Sequence, residues 1–313
     1  MDARAGRPAL KSTQLLETLM VRGLASGVRR MPWRASLALG AGLGACVGAL
    51  GVRAAVARDN LARAFPERSE SERGRILAFH YRELGRVACE YPRLAELARA
   101  PLGRYLAAIE GAEHLDAARA GGRGAILMTG HFGHFELVGA ALGARHPTSF
   151  VVKPLGNPGV ESLIARWRAD AGIESIPIGL GVRRVFEALR ENRWVAMLAD
   201  QDARRRGIFV PFFGRPASTP TGPAELSLRS GAPIVMGFDL RGEDGRHTLH
   251  VVPPLPRPPA DDPDPVRTLT AAHVATLEAW VRRHPERWFW LHRRWKTSPP
   301  AEAGGVAGEG GGA

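Results

Sequence analysis

The first strong pattern along the chain is an unbroken apolar run. From Ala35 to Val52 there are eighteen residues without a charge, flanked by Arg29, Arg30 and Arg34 on one side and Arg53 and Arg58 on the other. As a helix it extends roughly 27 Å, just short of a hydrocarbon core of about 30 Å. Gly40, Gly44 and Gly48 recur every four residues and form one smooth face that a second helix backbone can approach. Three readings stay open: a short spanning or re-entrant anchor, an interfacial helix, and a buried helix. Membrane association is the expectation. A cleaved signal peptide is disfavoured, because the basic region ahead of the run exceeds thirty residues. Both flanks are basic, so the pattern assigns no orientation.

Beyond this segment the pattern changes. Ser69 and Glu72 form a capping box that opens a helix reaching Tyr91. Short apolar runs then alternate with amphipathic stretches. Strands are predicted at 124–129, 149–152, 194–199, 233–240 and 247–252, the last two able to pair, and 208–213 reads as a strand or an extended loop. Helices are predicted at 132–142, 158–171, 181–192 and 265–283, with another starting at Gly222, Pro223 and Glu225. This βαβ spacing predicts one α/β domain around a largely buried sheet. Residues 1–58 read as a basic membrane-anchor region, 59–297 as the domain, and 298–313, rich in Gly, Pro and Ala, as a disordered tail.

Composition narrows the partners. At 313 residues, 45% hydrophobic and 24% charged, the chain has globular values and excludes a wholly disordered protein. Cys46 and Cys89 have no partner spacing for a zinc site or a disulfide framework. The net charge of +12 is held entirely at the two ends, in residues 1–58 and in the stretch from Arg282 to Lys296. An excess placed this way points to an anionic surface, phospholipid or nucleic acid. An arginine-heavy composition is the plain alternative. The apolar run favours the membrane, as do Trp288, Trp290 and Trp295 interleaved with Arg287, Arg293, Arg294 and Lys296. No nucleic-acid partner is expected.

The densest chemistry is Thr129-Gly-His-Phe-Gly-His-Phe-Glu136, where a buried strand ends and a helix begins. Ligands sit at that edge in open α/β sheets. Glu136 can reach one imidazole nitrogen of His131 and leave the other to take a proton from a hydroxyl, the base-and-orienter arrangement of acyl transfer. No GxSxG elbow occurs and no Cys lies nearby, so the nucleophile is expected to be the substrate's own hydroxyl. The competing readings are a structural histidine at a helix start and, more weakly, metal binding through His131 and His134.

The block His131-Phe-Gly-His-Phe-Glu136 resembles the H-x4-D/E signature of the lysophospholipid acyltransferase superfamily, in the form used by its bacterial lipid A biosynthesis (lauroyl/myristoyl) branch. Five further blocks follow the same order: Asn60–Pro66, Lys153–Pro158 with Arg168 and Gly172, Asp200-Gln-Asp202, Phe209–Gly214 with Ala217 and Thr219, and Pro285–Lys296. The resemblance spans Pro32 to Lys296. It implies an α/β sandwich with a membrane-binding N-terminal helix, and a membrane-associated O-acyltransferase with His131 as base and Glu136 as its assistant.

Further implications concern the substrates. The donor is an acyl thioester, acyl carrier protein first and coenzyme A second, with no other cofactor and no metal. The acceptor is a glycolipid such as a lipid A precursor, with phosphatidylinositol mannosides acylated by related enzymes. The expected location is the cell inner membrane, with the active site on its cytoplasmic face. Lys153, Arg168, Asp200, Gln201 and Asp202 become substrate-binding candidates. Lys153 stands where an arginine is expected, and His134 where asparagine is more frequent. The first rival is a glycosyltransferase clamping a metal and a nucleotide sugar with Asp200 and Asp202. The second is a binding protein that uses only its basic ends.

Overall fold

The computed structural model describes residues 11–179 and 181–300; most of the expected tail lies outside them. The apolar core strands run where the sequence is continuously hydrophobic. β2 (Ala125–Thr129), β3 (Thr148–Val152), β5 (Trp194–Leu198) and β8 (Ile234–Arg241) lie side by side with β4 (Glu174–Pro177), β9 (His247–Val251) and β1 (Leu106–Glu110) at the flanks. The seven-stranded order is β1-β9-β8-β2-β5-β3-β4. From β8 to β4 every pairing is parallel, and only the β8–β9 hairpin is antiparallel. Parallel strands covered on both faces need no polar alternation, which is why AILMT in β2 is apolar until its last residue. A separate two-stranded ribbon pairs β6 (Ile208–Phe212) with β7 (Arg215–Thr219).

Helices α6 (Ala112–Ala120), α7 (Phe135–Gly143), α8 (Pro158–Asp170), α9 (Val182–Arg190), α10 (Gly222–Ser230) and α11 (Pro265–Arg283) connect and cover the strands. Two cores result, one on each side of the sheet. One gathers Phe132, Phe238, Trp280, Trp288 and Trp290; the other gathers Leu137, Leu142, Phe150, Val235 and Leu249. The expected α/β architecture is therefore present.

Five further helices precede β1: α1 (Ser12–Arg30), α2 (Trp33–Ala49), α3 (Ala54–Ala64), α4 (Glu70–Glu90) and α5 (Leu94–Arg99). The capping box at Ser69 is formed, Glu72 N donating to Ser69 Oγ at 3.3 Å and Ser69 N to Glu72 Oε2 at 2.8 Å. The expected N-terminal membrane helix takes a different form. Among the described residues no single helix is long and apolar enough to cross a membrane; α2 and α3 meet the length and composition only together, and they bend by 91°. The glycine face of α2 is spent inside the protein, against α4. A Cβ on Gly44 would lie 2.0 Å from the Tyr81 carbonyl oxygen, and one on Gly85 would lie 1.9 Å from that of Gly40. The approach is one that only glycine permits.

The tryptophan block is likewise internal. Trp288 and Trp290 are among the largest fully buried side chains, and Arg294 is buried with them. Arg294 donates to Ser218 O and to Thr219 Oγ1, both at 2.6 Å, and its guanidinium lies over Phe212. The expected aromatic headgroup interface is thus a core, because the chain from 285 onward runs across the sheet end rather than over the surface.

Candidate active site

Two strand ends build the centre of the site. β2 and β5 are parallel neighbours in a register that sets Thr129 opposite Leu198. His131 and Asp200 each lie two residues beyond that pair, so the sheet itself delivers them to the same point. His131 Nδ1 meets Asp200 Oδ1 at 2.7 Å, and His131 N donates to Asp200 Oδ2 at 2.8 Å. Trp288 Nε1 donates to the same Oδ2 at 2.8 Å. Asp200 is buried, whereas the imidazole keeps a quarter of its side-chain surface. Burial opposes a charged imidazole, but the carboxylate and its hydrogen bond outweigh it and hold His131 above its ordinary value. The same contacts overcome burial at Asp200 and hold its carboxyl far below the usual range.

The turn carrying His131 is fixed from both sides. Phe289 N donates to His131 O, and Gly133 N to Arg287 O, each at 2.9 Å, with a bridge between Phe132 and Trp288. His134 N donates to Asp239 Oδ2 at 2.9 Å. Gly133 has a φ of 54° and sits so close to Asp239 that a Cβ would approach its carbonyl oxygen to 2.5 Å. His134 caps α7 by accepting Leu137 N. Burial lowers it to about 4, which keeps it neutral and able to accept.

Glu136 does not reach His131. Its carboxylate is buried and takes a forked contact from Arg168 of α8, with Arg168 Nε at 3.1 Å from both oxygens and Nη2 on Oε1. Tyr91 lies beside this pair, and burial together with the Glu136 carboxylate pushes its hydroxyl well up. The expected orienter is therefore corrected. Asp200 holds the imidazole, and Glu136 anchors Arg168 at the wall of the same cavity.

Asp200 and Asp202 do not form a shared clamp. Both Asp200 oxygens are engaged as described, and Asp202 Oδ2 accepts Thr297 Oγ1 at 2.9 Å. Among the described residues no group of three or more His, Cys, Asp or Glu side chains converges to hold a metal ion. Gln201 Nε2 stands 3.3 Å from His131 Nε2, on the side of the ring facing the cavity.

That cavity has a volume of about 550 Å³, within the size of ligand sites. His131, Glu136, Arg168 and Gln201 line its upper wall. Its interior is apolar: Leu127, Val138, Leu142, Phe150, Val235 and Val251. Lys153, Leu155 and Ile178 line it from exposed positions at the mouth. Among the described residues no serine or cysteine lines it. Tyr91 carried no sequence signal, and Trp288 was read for its ring instead of its N–H.

The site therefore combines a histidine held by a buried carboxylate at the ends of parallel strands with an apolar cavity beside it. Residues 5–297 match the family model for bacterial lipid A biosynthesis acyltransferases, and the chain belongs to that family. It is 33% identical over 249 residues to the phosphatidylinositol mannoside acyltransferase of Mycobacterium tuberculosis, covering 76% of each chain. It is 30% identical over 276 residues to the lipid A biosynthesis lauroyltransferase of Escherichia coli K12, covering 87% of this chain and 89% of that one. The palmitoleoyltransferase of lipid A biosynthesis from the same organism is 29% identical over 255 residues. The protein is an acyltransferase acting on membrane lipid.

Proposed function

We propose that the protein transfers a fatty acyl chain from a thioester to a hydroxyl of a glycolipid, at the cytoplasmic face of the inner membrane. The observation that carries this reading is the His131–Asp200 pair at the head of a cavity with an apolar interior. Nδ1–H donates to Asp200, so the lone pair of Nε2 faces the cavity. The acceptor hydroxyl displaces the Gln201 amide N–H from Nε2 and gives its proton to that nitrogen. Its oxygen attacks the thioester carbonyl, the tetrahedral intermediate collapses with cleavage of the C–S bond, and the imidazolium returns the proton to the departing thiolate. Asp200 stabilises the imidazolium during this exchange. The apolar interior takes the acyl chain. Lys153, a cation at the mouth, meets an anionic group of the acceptor.

The donor is acyl carrier protein first and coenzyme A second, as the family relationship suggests. Among acceptors, a lipid A precursor is favoured by the family match and by the lauroyltransferase likeness. The 33% identity to a phosphatidylinositol mannoside acyltransferase supports that acceptor as the second reading. The glycosyltransferase reading is disfavoured, because both Asp200 oxygens are engaged by His131 and Trp288 and, among the described residues, no cluster of His, Cys, Asp or Glu converges to hold a metal.

The test is a transfer assay in detergent with labelled acyl thioesters of both carriers, the host's lipid extract and EDTA. Labelled lipid formed by the unmutated protein and absent with His131→Ala is the expected result, and its mass names the acceptor. Equal labelling by His131→Ala, or no labelled lipid from any donor, overturns the proposal.

A further inference from the structure

Glu83 and Glu90 of α4, Asp239 and Arg241 of β8, His247 of β9 and Arg287 beyond α11 form one buried ion cluster. Arg241 Nη2 meets Glu90 Oε2 at 2.6 Å, and its Nε meets Glu83 Oε2 at 3.1 Å. His247 Nδ1 donates to Asp239 Oδ1 at 2.8 Å, while its Nε2 lies 3.2 Å from Glu90 Oε1 and 3.0 Å from Arg241 Nη1. Glu90 and His247 are fully enclosed, and Asp239 keeps 1% of its surface. Among the described residues that line the apolar cavity, none belongs to this cluster. Desolvating so many charges is a poor route to stability, since apolar residues of similar volume often do as well or better. What a fully paired network does hold is geometry.

The geometry held here is that of the turn around His131. In the sheet order β8-β2-β5, β2 has an aspartate on either side, Asp239 on β8 and Asp200 just beyond β5. Each accepts a backbone N–H from the turn that follows β2. Asp200 Oδ2 takes His131 N at 2.8 Å, and Asp239 Oδ2 takes His134 N at 2.9 Å. A third N–H, that of Gly133, donates at 2.9 Å to the carbonyl of Arg287. Arg287 is itself bound to Glu83 and donates from Nη2 to Arg241 O at 2.9 Å. The turn sits directly against β8: a Cβ on Gly133 would come within 2.5 Å of Asp239 O and 2.8 Å of its Oδ2. The His134 ring stacks on Tyr91 at 5.7 Å and meets His247 edge-on at 5.9 Å. Asp239 thus joins cluster to turn, with one oxygen on each.

We propose that Asp239 is a positioning residue for acyl transfer: anchored by His247 on one oxygen, it fixes the turn through His134 N on the other, and so sets His131 against Asp200 and the cavity. This rests on the acyltransferase reading and adds to it a residue that no motif in the sequence marks. A carboxylate suits the task because it offers an acceptor to each of two N–H groups that approach from different elements. A shift of about 1 Å in the turn costs roughly a hundredfold in rate, because the hydroxyl must meet Nε2 in a reactive alignment.

The test compares Asp239→Leu with Asp239→Asn, both in the transfer assay and by NMR titration of the histidine rings of the full chain in detergent. Leucine keeps roughly the shape of aspartate but accepts no hydrogen bond. Its kcat is expected to fall roughly a hundredfold, with KM within about threefold. Its His131 ring is expected to titrate at lower pH, because contact with Asp200 is what raises it against burial. Asparagine is expected to restore kcat to within about fivefold and to leave the His131 titration unmoved. Its oxygen still takes the His134 amide, while its NH2 donates to a neutral His247 ring that keeps its proton on Nε2, facing Glu90. Gly44→Ala, destabilised at the contact between α2 and α4, controls for stability and is expected to keep the unmutated kcat while folded. If Asp239→Leu does not fold, Asp239→Leu/His247→Leu removes both facing charges together, and the same fall is expected. Leucine variants within about fivefold of the unmutated kcat, an unmoved His131 titration in them, no recovery in Asp239→Asn, or an equal loss in Gly44→Ala overturns the proposal. If the unmutated protein transfers nothing, the acyltransferase reading fails, and the ring titrations alone decide the positioning.

Discussion

Replacing Asp200 by Asn tests the assignment of the imidazole's partner. Asp200 Oδ2 accepts two N–H groups, from the His131 backbone and from Trp288. The amide oxygen of Asn must take that side, because an NH2 there would confront two donors. The amide nitrogen then faces Nδ1 and donates to it, so the imidazole proton moves to Nε2, the nitrogen that must accept from the hydroxyl. Loss of a general base costs roughly 10²–10⁴ in rate, and a base locked in the wrong tautomer falls at the upper end, about 10³–10⁴. That is about 4–5.5 kcal/mol of transition-state stabilisation. It should appear in kcat, with KM little changed, because the acceptor still fits.

The assay is initial-rate transfer to purified acceptor across pH. For the unmutated protein kcat/KM should rise as His131 loses its proton, with a midpoint above the imidazole's ordinary 6.5, because the adjacent carboxylate raises it. In Asp200→Asn the residual activity should titrate at lower pH, since the adjacent carboxylate is gone and only the Glu136 charge still opposes burial of the ring. A variant within tenfold of the unmutated rate, with its pH limb unmoved, would refute Asp200 as the partner and return the role to Glu136.

Four other outcomes follow from the packing and the charges. Gly44→Ala should destabilise by about 2–3 kcal/mol in denaturant unfolding, because its Cβ meets the Tyr81 carbonyl. Gly42→Ala, with nothing within 4 Å, should be neutral or stabilise by up to about 1 kcal/mol through helix propensity. Val235→Phe, which fills the apolar cavity, should shift donor preference at least tenfold from C16 toward C12 thioesters in competition assays; an unchanged preference would place the chain elsewhere. Buried His247, held at about 9 by Asp239 and Glu90 against its burial, contributes stability that is complete below its unfolded value of 6.5 and lost as pH rises through about 9. The melting temperature should fall across that window, and His247→Gln, though less stable, should show a flatter alkaline limb.

Much of the sheet was legible because parallel buried strands are written as short apolar runs. β2, β3, β5, β8 and β9 lie within a residue or two of expectation, and α11 at its expected bounds of 265–283. β1, β4 and α6 were missed, being short and marked by no period. The turn at His131 was legible from its residues, but its partner was not. Glu136 is near in sequence, whereas Asp200 becomes near only through the adjacency of β2 and β5, which a single sequence does not encode locally. The tryptophans after Pro285 misled for a related reason. In irregular chain no periodicity assigns a face, so aromatic rings among arginines suit an interface and a core equally. Helix α1 went unread because its apolar positions do not face the core.

The contact between α2 and α4 carries a practical consequence for handling the protein. α4 also supplies Glu83 and Glu90, which bind Arg241, Arg287 and His247, and Arg287 O receives the Gly133 amide of the turn that carries His131. Trp33, at the start of α2, donates its indole N–H to Glu90 at 3.0 Å. A truncation that removes the N-terminal helices to improve solubility would strip Glu90 of that donor and expose the groove at Gly85. The loosened scaffold would stand one hydrogen bond from the turn that presents His131. Purification strategies should retain these helices.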